Sequence, residues 1–164
     1  MIQNHSLTVT IAAFYQLAQV LMDSNNLSAR IIDTYSSLDA NNIDQIGNIY
    51  AEQIVFKDPA HCITGLPDLK TYFSTLYRNV HSCEFEFEEM LAKDDTIMTT
   101  WVMQLRHPKL RGGELLQIPG CTQMKTQGEK IIFHRDYFDL GSMLYEHIPV
   151  LGWVVTRVKE KLGG

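Results

Sequence analysis

The chain lacks most of the marks that would settle its chemistry at once. It has 14 Lys and Arg against 19 Asp and Glu, a net charge of −5, and its basic residues are scattered. Without a basic patch there is no electrostatic footprint for a phosphate backbone, so nucleic acid is set aside as a partner. The three cysteines, Cys62, Cys83 and Cys121, match neither a disulfide framework nor a zinc spacing. They read as reduced core or pocket thiols, and a reducing, cytoplasmic compartment is expected. There is no Gly-rich phosphate loop, and no second spaced pair accompanies His61 and Cys62, so no nucleotide, metal or other cofactor is expected. No stretch reaches the roughly 20 apolar residues of a membrane span. The most apolar one, Leu7 to Met22, lacks a basic leader and an A-x-A-like cleavage site and is interrupted by Gln16 and Gln19, which argues against a signal peptide. Leu7, Ile11, Phe14, Ala18 and Leu21 instead form one stripe of an amphipathic helix that Ser6 could cap.

What is present suffices for one core. With 45% hydrophobic and 20% charged residues over 164 positions, residues 1–164 read as a single globular domain. Ser28 can cap a helix with Ile31, Ile32, Tyr35 and Leu38 on its apolar face. Asn41 and Asn42 break it before a second helix carrying Ile43, Ile46, Ile49 and Tyr50. The β-branched and aromatic run Ile54 to Asp58 reads as a short strand ended by Pro59. After Gly65, Pro67 opens a third helix with the stripe Leu69, Tyr72, Phe73, Leu76 and Tyr77. The period then changes to that of strands. Cys83, Phe85 and Phe87 alternate with Glu84, Glu86 and Glu88, so one face is buried and the other meets water. Further strands are expected at Thr96 to Arg106, Glu114 to Lys125 and Ile131 to Asp139, the last placing His134 and Asp136 on one face.

Taken in order, the Ile31 to Tyr50 helix pair, the Phe56-Lys57-Asp58-Pro59 strand end, the Gly65-x-Pro67 helix start and the final Gly-Glu-Lys-Ile-Ile-Phe-His-Arg-Asp-Tyr-Phe-Asp strand resemble the SnoaL-like branch of the nuclear transport factor two-like superfamily. The resemblance covers about residues 28–140. It implies an α+β cone: a strongly bent antiparallel sheet wrapped around the N-terminal helices, with an apolar pocket at its open end. It also implies a homodimer through the exposed face of the sheet. Members include steroid isomerases, polyketide cyclases, limonene epoxide hydrolases, dehydratases and proteins that only bind or assemble, so the fold alone does not decide the function.

Residue by residue, the resemblance singles out two acids. Asp58-Pro59 is similar to the place where ketosteroid isomerases carry their general base. Their oxyanion hole is not matched, because its tyrosine position falls near Thr34, with Tyr35 one residue out of register, and Leu116 to Lys125 contains no acid. Arg135 to Asp139 resembles the last strand of the epoxide hydrolases, whose first Asp takes part in acid/base chemistry, and points to Asp136. Trp101-Val102-Met103 stands where those enzymes have an Arg-x-Asp pair, and Phe56 and Asp58 stand where a tyrosine and an asparagine help hold water. The expected site is a carboxylate pair, Asp136 as acid or base and Asp58 as partner. His134, Trp101, Phe56, Tyr35, Met103 and His61 are expected around a small, mainly apolar molecule.

Each of these residues has an ordinary structural reading as well. Asp136 could satisfy groups at the sheet rim, Asp58 could close an Asp-Pro turn, His134 could be a satisfied core histidine, and Trp101 and Met103 could be plain core. Two functions follow: a cofactor-independent hydrolase, isomerase or cyclase, or a non-catalytic ligand-binding or assembly module. Outside the family core, residues 143–162 carry Leu144, Tyr145, Ile148, Leu151, Val154, Val155, Val158 and Leu162 at helical period, with Pro149 placed to start the main helix and Gly163 to end it. This amphipathic C-terminal helix is expected to pack on the cone or a partner subunit in preference to a membrane surface, although Arg157, Lys159 and Lys161 would suit anionic lipid.

Overall fold

The computed structural model describes residues 27–148 and 150–162; the helix expected at Leu7 to Met22, Pro149 and Gly163 lie outside them. Helix α1, residues 27–37, buries Leu27, Ile31 and Tyr35 along one stripe, with Leu38 just past its end. Asp39 and Asn42 then compete with the helical backbone: the Asn42 side chain accepts from the Asp39 N–H and donates to the Ser37 carbonyl, and the Asp39 carboxylate accepts from the Asn41 N–H.

The second helix differs from expectation. It is a short 3-10 helix, Ile43–Asn48, and Tyr50 already belongs to strand β1, Tyr50–Lys57. A helical spacing of apolar residues is equally served by a tight turn that leads into a buried strand. Here pairing of Tyr50 with Ile131 decides the matter. Strand β2, Cys62–Thr64, is a brief antiparallel return that the sequence did not reveal. Gly65, at φ 93°, turns the chain into helix α2, Leu66–Asn79, with Pro67 in its first turn and Leu66, Leu69, Phe73 and Tyr77 buried.

Strands β3 (Ser82–Lys93), β4 (Thr96–Arg106), β5 (Leu115–Gln127) and β6 (Lys130–Phe138) complete a six-stranded sheet in the order β2-β1-β6-β5-β4-β3. All neighbours are antiparallel except β1 and β6, which run parallel, so the expected all-antiparallel sheet is a mixed one. Parallel pairing is open to these two because the intervening chain is more than long enough for the crossover. Register shifts between Phe87 and Met90 on β3, and between Lys125 and Thr126 on β5, interrupt the pleat. One apolar cluster joins α1, α2 and the inner face of the sheet. This is the α+β cone. The cysteines are all free, Cys83 buried and Cys62 exposed, and burial pushes the Cys83 thiol up to about 12.

The expected C-terminal helix is divided. Helix α3 is short, Leu140–Met143, capped by the Asp139 carboxylate, which accepts from the Ser142 N–H at 2.9 Å and is held below the usual carboxylate range chiefly by that bond. A 3-10 turn, Tyr145–His147, follows, and then helix α4, Leu151–Leu162. Val150 separates them at φ 71°, a left-handed conformation that a β-branched residue seldom adopts. Helix α4 returns against the 3-10 turn: Gly152 is buried so closely that a Cβ there would lie 2.2 Å from the Glu146 carbonyl oxygen, and Lys159 pairs with Glu146. Its apolar stripe is not covered by the cone. Val154 is 42% exposed, Val158 51% and Leu162 82%. No helix among the described residues is long and apolar enough to cross a membrane.

Candidate functional site

Strand register builds the site. On β6, His134 and Asp136 share the inner face because they are two residues apart. Across the ladder Met124 lies opposite His134, Thr122 opposite Asp136 and Gly120 opposite Phe138. On β4, Ile97, Thr99 and Trp101 continue the same rows. One row is thus Thr99, Thr122 and Asp136. The next is Trp101, Gly120 and Phe138.

Gly120 explains how the largest side chain fits. A Cβ on this residue would lie 2.3 Å from the Trp101 ring, so the indole rests directly on glycine backbone. In that position its Nε1–H donates to Thr122 Oγ1 at 2.8 Å.

A hydrogen-bonded chain follows from this contact. An indole N–H can only donate, so the Thr122 hydroxyl accepts from it and donates onward to Asp136 Oδ1 at 2.5 Å. His134 Nε2 is 2.8 Å from the same oxygen and donates its hydrogen there. His134 Nδ1 then accepts from the Tyr50 hydroxyl at 2.8 Å, and Tyr50 accepts from Tyr35 at 2.6 Å. The donor-only indole and the acceptor-only carboxylate set the directions from Trp101 to His134 Nε2, and those through Tyr50 and Tyr35 are the ones that go with a neutral imidazole. Burial pushes the Tyr35 and Tyr50 phenols well above their ordinary range, which keeps their hydrogens available to the chain. Phe56 stacks on the far side of His134, with centroids 4.7 Å apart, and fixes its ring.

These groups meet at a cavity of about 40 Å³. Its aromatic walls are Tyr35, Phe73, Phe85, Phe87 and Trp101; Ile31, Met124, Thr99, Thr122, His134 and Asp136 complete the lining. Tyr35 stands nearly perpendicular to Phe73, Phe85 and Phe87, and Phe85 to Trp101. Asp136 is the one carboxylate in the lining. Among the described residues, only its Oδ1 accepts hydrogen bonds.

Asp58 is placed differently. Its Oδ1 accepts from the Ala60 and His61 backbone N–H groups, both at 2.7 Å, and its Oδ2 accepts from the Tyr72 hydroxyl at 2.6 Å. His61 Nδ1 lies 3.1 Å from both oxygens. The carboxylate closes the Asp-Pro turn and does not line the cavity.

Of the eight residues expected at the site, the structure brings Tyr35, Trp101, His134 and Asp136 together around the cavity. Phe56 and Met103 are buried in the core behind it, and Asp58 and His61 belong to the rim turn. Tyr50, Thr99, Thr122, Phe73, Phe85 and Phe87 were not foreseen there. Strand alternation could have found the two threonines had the register been known, whereas the helical reading hid Tyr50. Among the described residues no group of three or more His, Cys, Asp or Glu is placed to hold a metal.

Comparison with known proteins agrees with the architecture. The model of the SnoaL-like domain family matches residues 31–134. No curated protein matches the chain in sequence. Among solved structures, a candidate SnoaL-like polyketide cyclase from Jannaschia sp. CCS1 is 13% identical with a TM-score of 0.64, over 75% of this chain and 90% of that one. A protein with a ketosteroid isomerase-like fold from Catenulispora acidiphila, in complex with trimethylamine, is 16% identical with a TM-score of 0.65, over 77% and 95%. AclR, a candidate hydroxylase from Streptomyces galilaeus, is 14% identical with a TM-score of 0.63, over 88% and 93%. At such identities the likeness is one of fold.

Proposed function

The chain belongs to the SnoaL-like domain family, and on that premise we propose that it holds a small, mainly apolar molecule in the cone and exchanges a proton with it through Asp136. The observation that carries this reading is the state of the Asp136 carboxylate. Its Oδ1 is held by His134 and Thr122, while Oδ2 has no partner among the described residues and belongs to a side chain that lines the cavity. A carboxylate so held can take a proton from a bound molecule on Oδ2 and return it at a neighbouring atom. His134 and Thr122 keep it oriented, and the Tyr50–Tyr35 arm fixes His134 in turn. The reaction class that fits is cofactor-independent isomerisation or cyclisation.

A purely binding role is the second reading, and the cavity favours it. About 40 Å³ is far below the roughly 300–1,000 Å³ of ordinary ligand pockets, and no second acid lines it. The Catenulispora protein, which holds trimethylamine, is an example of this fold with a very small ligand. The reading also includes a homodimer that covers the exposed stripe of α4, because each large apolar side chain fully buried there would contribute on the order of 1.5–3 kcal/mol.

A screen of small molecules followed by thermal shift and by the indole N–H resonance of Trp101 tests the reading. Ligands should raise Tm and move that resonance, and in deuterated water the wild-type protein should place deuterium in the ligand while Asp136→Asn should not. If no small molecule moves the Trp101 signal, the pocket reading fails. If ligands bind without exchange, the binding role stands alone.

A further inference from the structure

Resting on the reading of this cavity as a ligand site, we infer that its ligand is a small alkylated ammonium ion whose positive nitrogen is the counter-charge of Asp136. The argument begins with the charge. Asp136 is the only carboxylate in the lining, and among the described residues no Lys or Arg comes within salt-bridge distance of it. The groups that do reach it, the Thr122 hydroxyl and His134 Nε2, both meet Oδ1. Its one ionisable partner, His134, sits on Oδ1, so among the described residues no cationic group meets Oδ2 of this mostly buried carboxylate.

The walls supply the second half of such a site. Aromatic ring faces are electronegative and attract weakly hydrated cations, alkylated ammonium ions above all. Five rings line this cavity. Tyr35 meets Phe85 at a centroid distance of 5.5 Å and 76°, and Phe85 meets Trp101 at 5.2 Å and 79°, so adjacent rings stand as the sides of a box. A neutral apolar molecule would be served equally well by leucine and valine. Rings beside a single carboxylate suit a greasy cation.

Volume sets the size. One water needs a cavity of at least about 10–15 Å³, so 40 Å³ admits about three or four heavy atoms without rearrangement. A nitrogen bearing three methyl groups is of that size. Hydrogen bonding then sets the degree of alkylation. A tertiary ammonium has one N–H, which Asp136 Oδ2 can accept, and its methyl groups meet the rings. Free ammonium would leave several N–H groups without acceptors against aromatic carbon.

The test is a titration of the full chain at constant ionic strength with trimethylammonium chloride, ammonium chloride and tert-butyl alcohol, a neutral probe of similar shape, followed by the Trp101 indole resonance. Trimethylammonium should bind at least tenfold more tightly than either other probe. Asp136→Asn should weaken trimethylammonium at least tenfold and leave tert-butyl alcohol within about twofold. Phe85→Leu, which keeps an apolar wall but removes a ring, should weaken trimethylammonium severalfold and spare the alcohol, and it serves alone if the Asp136 variant does not fold. Equal or tighter binding of the alcohol, or no loss in either folded variant, would overturn the cation inference while leaving a pocket that binds small molecules. If no probe moves the Trp101 signal, both the inference and the pocket reading fall.

Discussion

Asp58, just past the end of β1, and Asp136, on the neighbouring β6, stand at corresponding places, each one residue past the last register pair of the two strands, Lys57 with Arg135. Yet the fold uses them in opposite ways. Asp58 has both oxygens engaged by its own turn and by Tyr72, and its acceptor capacity is spent on holding the chain. Asp136 is held on one oxygen only, by groups that are themselves fixed from behind. The difference teaches that the position of an acid in a fold is a weaker guide to its role than the hydrogen bonds that remain to it.

The most forceful way to break this comparison is to neutralise each acid in turn. Asp136→Asn should lower proton exchange with a bound ligand by about 10²–10⁴-fold, the usual contribution of a positioned acid or base. Asp58→Asn should leave exchange within a few fold and instead cost about 1–3 kcal/mol of stability, because backbone N–H groups of the turn lose a charged acceptor. Exchange rates and denaturant melts on both variants decide it, and the reverse pattern would make Asp58 the working acid.

Gly120→Ala sharpens the pocket side. The added methyl would meet the Trp101 ring, so the indole must leave Thr122, at an overpacking cost of about 1–3 kcal/mol. The Trp101 indole resonance should shift, and the ligand should bind more weakly. A variant with an unmoved signal would show that the ring is not held there.

Removal of residues 150–164 contrasts the cone with its appendage. Light scattering should show loss of the proposed dimer, whereas the cone should stay folded, since α4 packs chiefly against the Tyr145–His147 turn. A truncated protein that remains dimeric but no longer floats with anionic vesicles would assign the stripe to a membrane surface instead.

The smallest effect is alkaline. The Tyr35, Tyr50, Tyr72 and Tyr77 phenols are raised above their ordinary pKa of about 10, by burial first in each case. Their folded values lie above the unfolded ones, so the stability they contribute is complete below about pH 10 and is lost as pH climbs from there toward the folded values. Absorbance of tyrosinate should therefore show these four ionising only as the chain unfolds.

How much of this was legible beforehand depends on where the information lies. The sequence alone placed Thr96 to Arg106, which is β4 residue for residue, because alternation and the Lys93-Asp94-Asp95 turn are local signals. The pairing of His134 and Asp136 on one face was likewise local. Tyr50 was not readable, since its strand identity comes from pairing with Ile131, a residue far along the chain. Thr122 joined the site only through register, and Asp58 left it because its own turn captured one oxygen and Tyr72 the other. On the C-terminal side the helical period was right, but the reversal at Val150 and the exposure of α4 depend on backbone geometry that periodicity does not report.

The most direct test of the central claim is a structure of the full chain with any small molecule that raises its Tm. The ligand should lie among Tyr35, Phe85 and Trp101 with a polar atom about 2.7–3.0 Å from Asp136 Oδ2. A ligand seated in the Asp58–His61 turn, or on the outer face of the sheet with the cone closed, would contradict it.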